Sequence, residues 1–176
     1  ANPGKVSISS SGTGTSTHVY AEILMRRAGI ELLHVPYKGA GDAARDLSSG
    51  VVQLSFTGAP TAVQMLGTGR VRALGVTAAQ RSTVLPDVPT MTEQGIAGLD
   101  LQGWQGIFGP PRMSPAITTA LSTALTKALA DPDLKARVAR TLWEVHASTP
   151  AELGRMVEKD YQVWGGLMRE FGIKPQ

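Results

Sequence analysis

Short β-rich runs alternate with short helical patterns along the first half of the chain, and this order constrains the fold more than any other feature. Apolar and β-branched residues predict strands at 5–9, 32–35, 51–56 and 71–76. The fourth run is apolar enough to be buried on both faces. Helical periodicity predicts intervening helices at 16–28, 41–49 and 60–66. This order, with short connections, predicts an α/β fold with a parallel sheet, in which a ligand binds at the loops after the strands' carboxyl ends.

The second half of the chain has a different, mainly helical pattern. Prolines at or near the first turn mark predicted helices at 115–130, 132–142 and 150–171. Weaker patterns predict a short helix near 90–95 and strands at 101–108 and 144–147. Only the strand predicted at 144–147 lies among these helices. One strand cannot form a sheet alone, so this half is expected to need strands from elsewhere. The last helix has a broad apolar face, which includes Trp164 and is expected to need a partner.

Composition excludes several classes of site and partner. The chain has 176 residues and no cysteine, which excludes disulfides, zinc–thiolate sites, iron–sulfur clusters and cysteine nucleophiles. Its 17 basic and 14 acidic residues leave a net charge of +3, too small an excess to indicate a nucleic-acid partner. No apolar run approaches the roughly 18 residues of a membrane span. The chain opens with Ala-Asn-Pro-Gly-Lys, with no basic start and no apolar stretch, so we expect a signal peptide to be absent or already removed.

The most informative segment is a loop of serine, threonine and glycine at 9–18, between the first predicted strand and the first predicted helix. Glycine lets the backbone turn sharply and approach a ligand, and free N–H groups at a helix start favour an anion. The loop therefore indicates either a pocket for a carboxylate or phosphate, or an ordinary capped turn of small polar residues. The residues alone leave both interpretations open.

This loop and the rest of the chain do not match known catalytic or nucleotide-binding patterns. Thr17 replaces the third glycine of a dinucleotide fingerprint, and no lysine follows the glycines as in a P-loop. The sequence has no G-x-S-x-G elbow, no histidine pair with metal-ligand spacing and no carboxylate pair at acid–base spacing. We predict no catalytic residue, no metal site and no cofactor, and we expect His18 to orient the loop by hydrogen bonding.

Several short motifs follow one another in a fixed order along nearly the whole chain. They are ANPGK at 1–5, SSGTGTSTH at 10–18, HVPYKG at 34–39, RVRALGVT at 70–77, LPDVPT at 85–90 and GIKP at 172–175. In this order and spacing they resemble the substrate-binding proteins of tripartite tricarboxylate transporters, also called the Bug or TctC family.

The resemblance implies a periplasmic binding protein type II-like fold of the Venus-flytrap kind, with a ligand cleft between two α/β lobes. It implies that residues 1–103 are the second, ligand-binding lobe. Residues 104–176 would be a mainly helical C-terminal return into a first lobe whose beginning lies outside this sequence. The implied function is capture of a small carboxylate (a di- or tricarboxylate, an amino acid or an aromatic acid) in the bacterial periplasm, after signal-peptide removal, and its delivery to integral-membrane transporter subunits.

Carried over residue by residue, the resemblance suggests which residues line the cleft. The loop after the first strand would hold a ligand carboxylate, with His18 in a supporting role, and two neighbouring loops would line the same cleft. The expected ligand-binding residues are Gly12, Thr13, Gly14, Thr15, Ser16, Thr17, His18, Tyr37, Thr57, Gly58 and Ala59. Many relatives have an Asp-Asn pair where this chain has Thr57 and Gly58, so its ligand specificity is expected to differ if that loop touches ligand.

Two other hypotheses belong to different classes. The chain could be a stand-alone α/β enzyme of hydrolase or acyltransferase type that uses Ser16 and His18. Alternatively, two copies could exchange elements and replace the incomplete lobe, which predicts self-association.

Overall fold

The computed structural model describes residues 4–83, 85–101, 103–141 and 143–174. The chain divides into two compact units, residues 1–102 together with 166–176, and residues 103–165. The boundary at 103/104 refers to the lobes expected from the resemblance and stays a prediction.

A three-stranded parallel sheet forms the centre of the first unit. Its strands are Ser7–Ser10 (β1), Leu33–Pro36 (β2) and Leu54–Ser55 (β3), in the order β2-β1-β3. The predicted α/β fold with a parallel sheet is confirmed. β3 is shorter than the predicted run because the amides of Val51 and Val52 donate to the carbonyl of Asp46 instead of to a neighbouring strand.

Three helices connect and follow these strands: Ser16–Ala28 (α1), Ala40–Ser48 (α2) and Ala59–Gly67 (α3). The bounds of α1 are those predicted. It ends where Gly29 adopts a left-handed conformation, φ 62°, and donates its N–H to the carbonyl of Met25. That conformation suits glycine because it has no Cβ to clash. All three helices therefore begin just after a strand, on one edge of the sheet.

The core of the first unit lies between the sheet and α1. The four residues of β1 are buried, and so are Val19, Tyr20, Ala21 and Ile23 on α1. Leu99 is fully buried as well, and the hydroxyl of Tyr20 donates to the carbonyl of Leu101 at 2.5 Å. The start of α1 thus packs against the central strand and is hydrogen-bonded to the segment at Leu101.

The fourth predicted strand, at 71–76, is absent. Only Val76 joins a bridge, in which its N–H donates to Pro89 and its carbonyl accepts from Met91. The prediction that this run is buried on both faces is also wrong, since Leu74 is 49% exposed. An apolar run makes a strand only where a neighbouring strand takes up its hydrogen bonds, and the described residues give this run only that one bridge.

The short helix predicted near 90–95 is a sequence of turns. Thr90 and Glu93 form the reciprocal hydrogen bonds of a helix start: the N–H of Thr90 donates to the Glu93 carboxylate at 2.6 Å, and the N–H of Glu93 donates to Oγ1 of Thr90 at 3.0 Å. Gly95 then takes φ 82°, and the N–H of Ile96 returns to the carbonyl of Met91. The start signal is real, but glycine ends the segment after one turn.

The second unit is helical. Pro115–Leu129 (α4) and Pro132–Ala139 (α5) end earlier than predicted, and Leu142, the predicted end of α5, lies outside the described residues. Pro150–Phe171 (α6) has the predicted bounds and continues past residue 165 into the first unit. The strands predicted at 101–108 and 144–147 are absent from the described residues, because this unit offers them no strand to pair with.

Apolar side chains remain exposed in the second unit, and α4, α5 and α6 bury none of their described residues. Phe108 is 65% exposed and Tyr161 is 74% exposed. Trp104 is better enclosed, since its indole N–H donates to the carboxylate of Asp160 at 2.5 Å and its ring lies against Phe108. Within the described residues, no helix combines the length and the apolar character needed to cross a bilayer.

Candidate functional site

The loops that contain the predicted site residues follow β1, β2 and β3. Because these strands are parallel neighbours, their carboxyl ends lie on one edge of the sheet. The first two loops are directly joined: the N–H of Tyr37 donates to the carbonyl of Ser10 at 3.0 Å. A Cβ added at Gly12 would lie 3.4 Å from the carbonyl oxygen of Tyr37. The sheet therefore brings the predicted loops to a common edge.

The loop after β1 turns twice through conformations that favour glycine. Gly12 has φ 143° and Gly14 has φ 80°. Thr13 lies between them, half-buried. Hydroxyl groups then fix the loop internally, since Thr17 Oγ1 accepts from the N–H of Ser11 at 3.0 Å and contacts Oγ1 of Thr15 at 2.9 Å. The loop is thus held in shape by its own side chains.

The N-terminus of α1 is left uncapped by this arrangement. Its N-cap residue is Thr15, but Oγ1 of Thr15 donates to the carbonyl of Gly12 at 2.7 Å and accepts nothing from the helix backbone. Within the described residues, the backbone N–H groups of Ser16 and Thr17 donate to no acceptor. Free amides at a helix start carry the positive end of the helix dipole, so they form a local site for an anion.

The other helices differ in whether a side chain caps their N-terminus, and the difference follows the two compact units. At α2 and α3 the N-cap residues are Gly39 and Gly58, which have no side chain to cap the helix. At α4 and α5 the N-caps are Ser114 and Asp131, and each side chain accepts a backbone N–H. The helices that start at the carboxyl ends of the strands therefore have no side-chain cap on their first backbone amides. In α4 and α5 a side chain caps the helix start.

His18 lies in the first turn of α1, where it is buried. Its Nδ1 accepts the N–H of Gly14 at 3.2 Å, so it orients the loop by hydrogen bonding. Its Nε2 lies 3.7 Å from a carboxylate oxygen of Glu22. Neither ring nitrogen is bonded to Ser16 within the described residues, and the nucleophile–base pair of the enzyme hypothesis is not formed there.

His34 is a residue of this edge that the sequence analysis did not single out. Its ring stacks on His18 with centroids 4.0 Å apart, and its Nε2 lies 2.7 Å from Oγ of Ser10. Burial lowers the pKa of His34, and the neighbouring His18 lowers it further. The available signal was a histidine between apolar residues of one strand beside a neighbouring strand rich in serine, because a polar side chain that is partly removed from water needs a partner.

The side chain of Tyr37 lies against α2. Its hydroxyl donates to the carboxylate of Asp46 at 2.7 Å, and this hydrogen bond raises the pKa of Tyr37. Lys38 beside it is exposed. The backbone of Tyr37 thus contacts the loop after β1, while its hydroxyl is already occupied.

The loop after β3 contains Thr57, Gly58 and Ala59. Oγ1 of Thr57 is buried and has no hydrogen-bond partner in the described part of the chain. Gly58 is the N-cap of α3, and Ala59 is its first residue. A buried hydroxyl without a partner costs about 1–3 kcal/mol, which an incoming polar ligand would recover.

Metal binding has no visible support in the described ranges, where no group of three or more histidine, aspartate or glutamate side chains could hold an ion. The polar groups of the site are hydroxyls and backbone amides, which suit an anion better than a cation.

Comparison with known proteins identifies the family. The family model described as the tripartite tricarboxylate transporter family receptor matches residues 1–173. The chain belongs to this receptor family. A curated relative, the UPF0065 protein in the tcbD-tcbE intergenic region of Pseudomonas sp. (strain P51), is 35% identical over 173 residues, which is 98% of this chain and 52% of the relative. The chain thus spans about half the length of that relative.

Several solved structures share the fold of this chain. The structure of R. palustris Rpa4515 with adipate matches with a TM-score of 0.92 and 28% identity, covering 99% of this chain and 58% of that one. MatC (Rpa3494) from Rhodopseudomonas palustris with bound malate matches with a TM-score of 0.80 and 26% identity, covering 93% and 57%. The structure of periplasmic binding protein BugD matches with a TM-score of 0.84 and 30% identity, covering 99% and 59%. The chain therefore has the α/β fold of the periplasmic binding proteins, as the sequence analysis predicted.

Proposed function

We propose that this chain carries the carboxylate-binding lobe of an extracytoplasmic solute receptor, which captures a small di- or tricarboxylate for a tripartite tricarboxylate transporter. The observation that carries the proposal is the uncapped start of α1, where Ser16 and Thr17 keep free amides beside a glycine-containing loop. Solved structures that share the fold contain adipate and malate, both small dicarboxylates. A carboxylate is the anion that this combination favours.

Within this proposal the predicted residues have separate roles. The amides of Ser16 and Thr17 bind one carboxylate, while Gly12 and Gly14 let the backbone approach it. Thr57 supplies a hydroxyl from the third loop. Gly58 and Ala59 contribute the N-terminus of α3. Thr13 and Thr15 complete the loop after β1, and the backbone of Tyr37 lies beside that loop.

We propose that residues 1–103 form the ligand-binding lobe and that residues 104–176 are the C-terminal portion of the other lobe. All of the predicted ligand-binding residues belong to the first compact unit, which supports assigning the binding function to the lobe at 1–103. Limited proteolysis would test the boundary. Cleavage that accumulates near residue 103 supports it, and cleavage confined to 1–100 argues against it.

The proposed mechanism is binding without chemistry. A hydrolase or acyltransferase would need Oγ of Ser16 to contact a base, but His18 uses Nδ1 for Gly14 and presents Nε2 to Glu22. Family membership and the solved neighbours also favour a binding protein. We therefore expect no catalytic residue in this lobe.

A pair of substitutions at Ser16 tests the role of the backbone amide. Ser16→Pro removes an N–H that donates to no described acceptor, at the first helical position, where proline is tolerated. Thr15 before it has φ −77° and ψ 163°, a conformation that proline permits in its preceding residue. Ser16→Ala removes only the hydroxyl. We expect Ser16→Pro to lose adipate or malate binding by calorimetry, and Ser16→Ala to keep it.

Two controls separate this test from its alternatives. Adipamide, the neutral diamide, should not bind, because helix-start amides favour a negative charge. Esterase or acyltransferase activity in the unchanged chain that disappears in Ser16→Ala would support the enzyme hypothesis. Failure of adipate, malate and a tricarboxylate to bind the unchanged chain would contradict the proposed function.

The cellular part of the proposal follows from the family. We propose that the receptor works in the bacterial periplasm and delivers its ligand to integral-membrane subunits. Fractionation of cells that express the whole gene product tests the location. Ligand uptake into vesicles that contain the membrane subunits, with and without the receptor, tests the delivery. Self-association of two copies is a separate proposal, which light scattering of this chain tests.

A further inference from the structure

We propose that His18 is a positioning residue that holds the amide of Gly14 only while its ring is uncharged, so that carboxylate affinity falls as the pH falls. The inference rests on the proposed function for its ligand. The link between the charge of His18 and the conformation of the loop does not depend on any ligand.

The hydrogen bonds of His18 define its tautomer. Because Nδ1 accepts the N–H of Gly14 at 3.2 Å, Nδ1 carries no proton in this arrangement. The proton of the neutral ring is then on Nε2, which lies 3.7 Å from Oε1 of Glu22. The neutral form thus has an acceptor facing the loop and a donor facing a carboxylate.

Protonation of His18 removes the acceptor. With hydrogen on both nitrogens, Nδ1–H would face the N–H of Gly14, and two donors cannot share a hydrogen bond. The Gly14 amide must then move, and Gly14 lies two residues before the free amide of Ser16. Because anion binding by backbone amides depends on their orientation, displacement of this segment weakens the site.

The groups that face the ring of His18 come from β2, β1 and α1. From β2, the parallel ring of His34 lies 4.0 Å away, and two charged rings at that distance repel each other. From β1, the neighbouring group is the neutral hydroxyl of Ser10, which contacts His34. On α1 the charged groups are Glu22 and, 3.8 Å from its second oxygen, Arg26.

The position of Glu22 determines whether protonation of His18 strengthens or weakens carboxylate binding. A positive charge on His18 would lie closest to this carboxylate, which would largely balance it before it could attract a ligand. The hydrogen bond to Gly14, by contrast, is lost completely. We therefore expect the displacement of the loop amides to weaken binding more than the positive charge on His18 strengthens it. The carboxylate affinity should decrease about fivefold, the equivalent of one neutral hydrogen bond.

The test uses this chain, isotopically labelled, with adipate as the probe between about pH 8 and about pH 6, where carboxyl groups of ordinary pKa stay ionised. In the free protein, we expect the Gly14 amide resonance to move together with the imidazole nitrogens of His18. In calorimetry, we expect adipate affinity to fall about fivefold toward the lower pH.

Three variants separate positioning from simple packing. His18→Asn places an amide oxygen near the position of Nδ1 and does not titrate, so its affinity should stay near the high-pH value at both pH values. His18→Phe keeps a ring against His34 but has no acceptor, so its affinity should be low at both. His146→Asn replaces an exposed histidine of the second unit and should behave like the unchanged chain.

The outcomes distinguish the two proposals. If adipate binds at neither pH, the proposed function fails for this ligand, and the Gly14 resonance still decides the inference about His18. A Gly14 resonance that stays in place when the imidazole nitrogens of His18 shift, or an affinity that is constant or higher at the lower pH, overturns the inference.

Discussion

The imidazole ring of His18 lies parallel to that of His34, with ring centroids 4.0 Å apart and planes inclined by only 4°. Burial lowers the pKa of His34 from its ordinary value of 6.5, and the proximity of His18 lowers it further. The folded chain therefore holds His34 neutral at pH values where the unfolded chain would already bind a proton. This stacked pair links the central strands to the start of α1.

The first prediction concerns stability and pH. Because the pKa of His34 is lower in the folded chain, its contribution to stability is fully present above about pH 6.5 and is lost as the pH falls through the folded pKa. We expect the free energy of unfolding, measured with urea, to decrease as the pH falls below this value. His34→Gln keeps a polar group near Ser10 and cannot titrate, so it should flatten the dependence. An unchanged slope in that variant, with His146→Asn as control, would contradict the prediction.

The second prediction concerns the backbone of the binding loop. Gly12 has φ 143°, and an added Cβ would meet the Tyr37 carbonyl oxygen at 3.4 Å. We expect Gly12→Ala to destabilise the chain by about 1–3 kcal/mol and to weaken carboxylate binding. Gly67→Ala is the matched control, since an added Cβ there would have no heavy atom within 4 Å. The control should change stability by less than about 1 kcal/mol. Equal effects of the two changes would exclude backbone strain as the cause.

The third prediction compares two threonines of the site. Oγ1 of Thr57 has no partner among the described residues, whereas Oγ1 of Thr17 accepts from the N–H of Ser11. Thr57→Val should leave stability unchanged or raise it by about 1 kcal/mol, because no hydrogen bond is lost, and it should weaken adipate binding. Thr17→Val should destabilise the chain by about 1–3 kcal/mol, because the amide of Ser11 loses its acceptor. Urea unfolding and calorimetry measure both effects. If Thr57→Val binds adipate normally, this hydroxyl is not a ligand contact.

The fourth prediction concerns the start of α6. The N–H and hydroxyl of Thr149 both donate to the carboxylate of Glu152, and the N–H of Glu152 donates to Oγ1 of Thr149 at 3.2 Å. We expect Thr149→Ala to cost about 1 kcal/mol in urea unfolding. These hydrogen bonds lower the pKa of Glu152, so the cap should persist above the ordinary value of 4.5 and weaken as the pH falls through the lowered value. Far-UV circular dichroism follows the helix. A Thr149→Ala variant as stable as Ser148→Ala would show that the cap contributes nothing.

Local signals in the sequence were sufficient to predict the helices of the first unit and the parallel sheet. α1 and α6 have the predicted bounds because each has clear end signals: Gly29 ends α1, while Pro150 and the Thr149–Glu152 pair begin α6. The strand at 71–76 was predicted wrongly because apolar character does not show whether a pairing partner exists. The helix near 90–95 was predicted wrongly because its start signal was given more weight than Gly95.

The candidate site shows the same division between local and long-range information. The sequence by itself determined the order of strands and helices, the glycine and hydroxyl content of the loop after β1, and membership of the receptor family, since all of these depend on neighbouring residues or on motif order. Only the tertiary structure decided that Thr15 leaves the start of α1 uncapped and that Thr57 has a buried hydroxyl without a partner. It also placed His34 against His18. These last relationships join residues that are distant in sequence or depend on the rotation of one side chain, and neither a periodicity nor a propensity carries that information.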